Sequence, residues 1–250
     1  MSGFQDHFSS GAAAYAEFRP TYPAPLFEWI ANQCAGRDVA WDCATGNGQA
    51  ARGLSPLFAT VIATDASAPQ IANAAARPNV DYRVAPADAS GLADRSVDLV
   101  TVAQALHWFD RPRFYAEVKR VTRPGGRLAV WMYNLLHVDP PIDAVVEKLY
   151  AEILSGFWPA NRWLVDQSYA PIEFPFAEIP APAFAMSADW RLGDLLGYLR
   201  TWSGSQRYQA ERGEDPVALV EPDLAALWGD PAGVRSIAWP LVIRAGRVDG

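Results

Sequence analysis

Two glycines and three carboxylates follow short apolar runs early in the chain, and their placement limits what they can hold. The segment Val39-Ala40-Trp41-Asp42-Cys43-Ala44-Thr45-Gly46-Asn47-Gly48 is an apolar run that meets an acid and then turns through the glycines. Glycine permits positive φ and lets a ligand approach the backbone closely. A helix opening behind such a turn presents unbonded amides. Asp42 at the strand end can hold an ammonium group; the competing reading is a tight strand-to-helix turn. The run from Thr60 ends in Asp65. A carboxylate so placed can accept bonds from both hydroxyls of a ribose. Helix capping is the alternative, but Ser67 and Gln70 already supply a capping pattern. Asp88, in Ala85-Pro86-Ala87-Asp88-Ala89, follows a third run. It can accept from an adenine amino group or cap a turn.

His107 and Trp108 follow a fourth run, Val97 to Val102. His107 can serve a hydroxyl or amine as general base, or it can be a loop histidine bonded to backbone. Trp108 can cover a ligand or belong to the core. Metal chemistry has little support: His7, His107 and His137 are scattered, and Cys34 and Cys43 lack ligand spacing. Two cysteines nine apart suggest no disulfide framework either.

These residues need elements to position them. Pro25 suits a helix first turn, with Leu26, Trp29, Ile30 and Gln33 on one face and Gly36 after it. Strands are expected at Val39–Trp41, Thr60–Ala63, Val80–Val84, Val97–Val102 and Arg127–Tyr133. Helices are expected at Ser10–Phe18, from Gln49, from Ser67 and from Asp110, the last ending at Pro124-Gly125-Gly126. This alternation, with continuously apolar strands, implies a Rossmann-like, doubly wound and mainly parallel α/β sheet covered on both faces. Ligands of such sheets bind beyond the carboxyl ends of the strands. After Asn134 the pattern loosens. Ala144–Leu154, Asp194–Thr201 and Asp215–Trp228 read as helical, Phe184–Trp190 as a strand, and aromatic, proline-rich Phe157–Phe176 as a lid or insertion. Ile237–Ile243 is strand-like, with Pro240 restricting it to an edge or bulge. The expectation is one domain: an N-terminal helical lid (1–35), a ligand-binding core (36–133) and a C-terminal elaboration (134–250).

The 250 residues carry a net charge of −7, which repels a phosphate backbone and makes nucleic acid a poor partner. The polar start MSGFQDHFSS shows no secretory signal, and no apolar run approaches the roughly 20 residues that span a bilayer. A soluble, cytoplasmic protein without a membrane partner is expected, with its oligomeric state open.

The three elements around Asp42, Asp65 and Asp88, in this order, resemble class I S-adenosylmethionine-dependent methyltransferases over about residues 36–133. Arg123-Pro124-Gly125-Gly126 also looks like that family's turn before the fifth strand, whereas Ala44 stands where the family has its first glycine. The resemblance implies S-adenosylmethionine as cofactor. Its amino-acid part would lie on Asp42, Ala44, Thr45, Gly46 and Gly48, its ribose at Asp65 and Ala66, and its adenine at Asp88 and Ala89. Gln104 and Ala105 would complete the cofactor side. FQDHFSS…AYAEFRPTYP and AQALHWFD are similar to the branch that includes trans-aconitate methyltransferases. There an N-terminal helix closes over the cofactor, which would bring Tyr15 and Arg19 to its methionine end. The stretch LRTWSGSQ also resembles that branch, and implies substrate contacts from Arg200, Trp202 and Gln206 beside Trp108. Arg200 can pair with a substrate carboxylate in bidentate fashion, or form a surface salt bridge.

The expected activity is methyl transfer to a small molecule, with an organic acid's carboxylate as acceptor because that nucleophile needs no base. His107 is the catalytic candidate should the acceptor be a hydroxyl. A nicotinamide-dependent oxidoreductase is a rival, but its G-x-G-x-x-G fingerprint would end in Ala51 here. A non-catalytic regulator that keeps only the cofactor pocket is another.

Overall fold

The structure, a computed structural model, describes residues 20–248. Helix α1 (Ala24–Asn32) begins with a proline in its first turn and buries Leu26, Phe27, Ile30 and Ala31. The chain then alternates β1 (Val39–Cys43), α2 (Gln49–Leu54), β2 (Thr60–Asp65), α3 (Ala68–Ala72), β3 (Val80–Val84), β4 (Val97–Ala103), α4 (Arg111–Val121) and β5 (Thr122–Tyr133). Then come α5 (Pro140–Lys148), α6 (Trp163–Asp166), β6 (Ala177–Ile179), β7 (Phe184–Trp190), α7 (Leu192–Arg200), α8 (Ser203–Arg212), α9 (Glu221–Trp228) and β8 (Arg235–Arg247).

The strands form one sheet in the order β3-β2-β1-β4-β5-β8-β6, with β7 also paired to β8. Strands β1 to β5 are parallel, and β8 is antiparallel to β5, β6 and β7. The order reverses direction between β1 and β4, so a crevice opens there at the carboxyl ends. The inner strands are buried on both faces. Along β5, Leu128, Val130 and Met132 enter one core while Ala129, Trp131 and Tyr133 enter the other. That residue-by-residue alternation is the period of two expected of a strand covered on both sides. Helices α1, α2, α5, α7 and α9 cover one face; α4 and the segment around α6 cover the other.

Helix α3 starts where its signal placed it, with Ser67 Oγ accepting the Gln70 amide at 3.4 Å. Asp110 caps α4 in the same way, accepting from Arg113 N at 3.3 Å. Three local expectations need correction. Pro124-Gly125-Gly126 does not precede β5 but lies within it. The pairing steps from Val97↔Thr122 to Leu99↔Arg127, so residues 123–126 bulge outward. Helix α5 begins earlier than Ala144, because Asp139 accepts the Ile142 amide at 3.1 Å and the prolines occupy the first turn. Its end widens into a π turn at Leu149–Ile153. Pro240 sits in a strand with neighbours on both sides rather than at an edge. Pairing with β5 begins only at Leu241, while the Ala238 amide on the β5 side bonds to His137 O at 2.9 Å. Pro240 faces the same side as Ala238, in the gap beyond the end of β5, where no ladder donor is required.

Candidate functional site

A cavity of about 1060 Å³ runs along the carboxyl ends of the parallel strands. Its walls come from the turns after β1, β2, β3, β4 and β5, from residues 158–162, and from Tyr198, Trp202 and Ser203. The β3–β2–β1 end holds the glycine turn and the acids. The β4–β5 end is aromatic and carries a cation.

The glycine turn is built around Asp65. Its Oδ2 accepts the Gly46 amide at 2.9 Å and its Oδ1 accepts the Ser67 amide at 2.8 Å. One buried carboxylate therefore fixes the loop after β1 and the loop after β2. Gly46 has φ +56°, and a Cβ there would meet nothing closer than Gln70 Oε1 at 3.9 Å. Gly46 thus presents bare backbone to the cavity. Ala44, Thr45, Asp65, Ala66 and Asp88 line the cavity with it. Asp88 lies 3.7 Å from Arg113 in a loose, partly exposed ion pair.

Three expected cofactor contacts are placed differently. Asp42 is wholly buried and does not line the cavity. Its carboxylate accepts from Thr45 Oγ1 at 2.5 Å and Thr101 Oγ1 at 2.8 Å. Burial pushes its pKa up to about 6, against the opposing pull of those hydroxyls. It braces the turn from behind. Gly48, at φ +83°, opens α2, and a Cβ there would fall 2.3 Å from the Tyr82 hydroxyl. The space beside it belongs to Tyr82. Ala89 also lies off the cavity wall. Tyr15 and Arg19 fall outside the described residues.

Beyond β4, Gln104 lines the cavity at φ +56°. Its side-chain amide is spent on β5: Oε1 accepts from Tyr133 N at 2.8 Å and Nε2 donates to Tyr133 O at 3.0 Å. Its backbone amide is also held, donating to Trp131 O at 2.8 Å, so Gln104 is a fixed corner of the wall beside Ala105. His107 and Trp108 also line the cavity. His107 Nδ1 lies 2.6 Å from the Tyr169 hydroxyl. Burial, and then the charge of Arg162, lower the His107 pKa to about 3. The ring is therefore neutral near pH 7. Tyr169, whose own pKa burial raises, stays a neutral hydroxyl and ties up Nδ1. A ring so buried accepts a proton poorly.

Trp202 lines the cavity as expected, in an aromatic cluster with Tyr150, Trp158 and Tyr198. Gln206 does not. Arg200 is a correction: it lies off the wall, with Nε on Asp215 at 2.7 Å and Nη2 on Glu221 at 3.0 Å. Its side chain is 42% exposed, so this is the surface salt-bridge reading. Two cations line the wall, Arg52 in α2 behind the glycine turn and Arg162 at the β4–β5 end, the latter with Asn134, Trp158 and Asn161 close by in sequence or space. The only sequence signal for that group was the aromatic, proline-rich stretch from Phe157.

Among the described residues no helix is long and apolar enough to cross a membrane. A methyltransferase domain family matches residues 41–130. A Dictyostelium discoideum protein that carries a methyltransferase name is 38% identical over 225 residues, covering 88% of this chain and 86% of its own. An uncharacterised methyltransferase of Schizosaccharomyces pombe is 27% identical over 220 residues, covering 86% and 85%. A solved Anaeromyxobacter dehalogenans structure, described as a type II methyltransferase, superposes with a TM-score of 0.87. It is 44% identical and covers 92% of this chain and 98% of its own.

Proposed function

The chain belongs to the class I methyltransferases, and on that premise we propose that it uses S-adenosylmethionine to methylate a carboxylate oxygen of a small organic acid. The observation that carries the cofactor reading is the row formed by Gly46, Asp65 and Asp88 along one wall of the cavity, after β1, β2 and β3. The donor set fits the group. Bare backbone at Gly46 suits the amino-acid end, the Asp65 carboxylate suits a ribose diol, and Asp88 suits an adenine amino group. Asp65 lines the cavity while its carboxylate holds the Gly46 and Ser67 amides. The row has no counterpart requirement in a nicotinamide site, where the third acid has no role.

When bound, the cofactor supplies a methyl group on an activated sulfonium, so that O–CH₃ forms as S–CH₃ breaks with the electron pair passing to sulfur. The residues of this chain then have to bind, align and exclude water rather than move a proton. His107 supports that division. A buried imidazole whose Nδ1 is engaged by Tyr169 and whose pKa is lowered to about 3 is a poor base at pH 7. A carboxylate nucleophile is already ionised and asks for no base.

Two measurements test the reading. S-adenosylhomocysteine should raise the melting temperature while NAD does not; stabilisation by NAD alone would overturn it. Label from methyl-tritiated S-adenosylmethionine should pass to small organic acids and be released by mild alkali, as from an ester. Transfer only to alkali-stable products would refute the carboxylate acceptor, and binding without any transfer would favour a regulator.

A further inference from the structure

We propose that Arg162 is the anchor for the substrate's carboxylate, and that the substrate is an acid with a flat apolar body; this rests on the cofactor reading above. The sheet order places the cofactor row over β3, β2 and β1. The cavity continues past β4 to the end of β5, where Asn134 and the segment 158–162 form its far wall.

Arg162 is held there in one orientation. Its Nε donates to the Tyr150 hydroxyl at 2.7 Å and its Nη2 to Asn134 Oδ1 at 2.6 Å. The guanidinium carbon lies 5.0 Å from the Trp158 ring centre and 5.2 Å from that of Tyr150. The backbone that carries it is pinned as well. Asn161 Nδ2 donates to His107 O at 2.8 Å, and Trp158 Nε1 donates to Tyr150 O at 2.9 Å.

A guanidinium has five N–H donors, and two are used. The remaining three are both hydrogens of Nη1 and one of Nη2. One hydrogen of Nη1 and the remaining one of Nη2 form the end-on fork that matches the two oxygens of a carboxylate. Asp166 stands 3.6 Å away, but on the Nε edge, and it also receives the Tyr150 hydroxyl and the Asn134 amide. The far end of the cation is therefore left to the ligand, with its side chain 21% exposed on the cavity wall. Arg200, by contrast, has both edges closed by Asp215 and Glu221. Around the fork, Trp158, Trp202 and Tyr198 supply ring surface and almost no charge. Such walls favour a flat, apolar body behind the acid group. His107 is neutral and adds no second charge.

The test is calorimetric titration of acid and amide pairs into protein saturated with S-adenosylhomocysteine. The pairs are benzoate and benzamide, cinnamate and cinnamamide, indole-3-acetate and indole-3-acetamide. For at least one pair the acid should bind tenfold or more tightly than its amide. R162Q should reduce that preference to less than threefold, R162K should retain part of it, and R200Q should leave it unchanged. S-adenosylhomocysteine affinity should stay within twofold in all three variants. No acid preference in the unmodified protein, or a preference that survives R162Q, would overturn the proposal. Failure of S-adenosylhomocysteine to bind would overturn the cofactor reading instead, and the same pairs titrated without it still read Arg162.

Discussion

Replacing Asp65 with alanine should damage two things at once, and the structure separates them. The carboxylate accepts the Gly46 and Ser67 amides at 2.9 and 2.8 Å in a nearly closed environment. Removing it leaves two amides without their acceptor. Each orphaned buried donor costs about 1–3 kcal/mol. Water entering from the cavity side offsets part of this, so a loss of about 2–4 kcal/mol is expected in denaturant unfolding. The glycine turn should also loosen. Binding should weaken through a second route, the lost charge-assisted bonds to the ribose, worth about 1.5–3 kcal/mol or roughly ten- to hundredfold in affinity. Sequence reasoning alone expects only the second effect, with Ser67 and Gln70 carrying the cap. Calorimetric titration with S-adenosylhomocysteine, at a temperature where the variant is folded, measures it. To divide the two routes, adenosine and homocysteine can be titrated separately. Adenosine affinity should fall at least tenfold. A folded D65A protein that binds adenosine as tightly as the parent would refute the ribose role and leave Asp65 a purely structural brace.

Four further outcomes are expected. Ala44 lies at φ +56°, a conformation that costs an L-residue about 1–2 kcal/mol; Ala44→Gly should therefore raise stability by about 0.5–1 kcal/mol after glycine's greater unfolded freedom is subtracted. Gly48→Ala should lower stability by about 1–2 kcal/mol or more, since φ +83° strains an L-residue and the Tyr82 ring must give way to the new methyl; a Gly48→Ala melting temperature at or above the parent's would contradict this, and an Ala44→Gly one below the parent's would contradict the other. Asp42 is raised from its ordinary 3.8 to about 6 by burial, so the native state holds that proton more tightly than the unfolded chain. Its ionisation is then a burden absent below about pH 4 and complete above pH 6, worth about 3 kcal/mol. Unfolding free energies of parent and D42N should diverge by that amount between pH 4 and 7 to the parent's disadvantage, and parallel curves would refute it. Finally, kcat/KM on an acid substrate should show no inflection from His107 between pH 5.5 and 8, because its pKa lies near 3. An inflection that persists in D42N and vanishes in H107Q would restore His107 as the base.

The half of the site over β1 to β3 was legible because each of its residues stands beside a strand end that the sequence itself announces. A continuous apolar run fixes the strand, the strand fixes the edge, and the acid after it has nowhere else to be. Asp42 obeys the same pattern and still misleads. Thr101, which closes over it, is 59 residues away and arrives only when β4 pairs with β1. Arg200 misleads for the same reason, since Asp215 and Glu221 reach it only through the packing of the C-terminal helices. Helix α8 was missed because a segment as polar as Ser203–Arg212 has no apolar period to read; its Gly204 is set by contact with Trp158. Arg162 shows the limit most clearly. Its sequence neighbours say only that an aromatic loop is present. What makes it a recognition group is that Asn134 at the end of β5 and Tyr150 after α5 occupy one edge of the guanidinium while Trp158 covers a face. A charge becomes a site when the fold uses some of its donors and withholds the rest, and that division is written in contacts between elements, not in the order of residues along the chain.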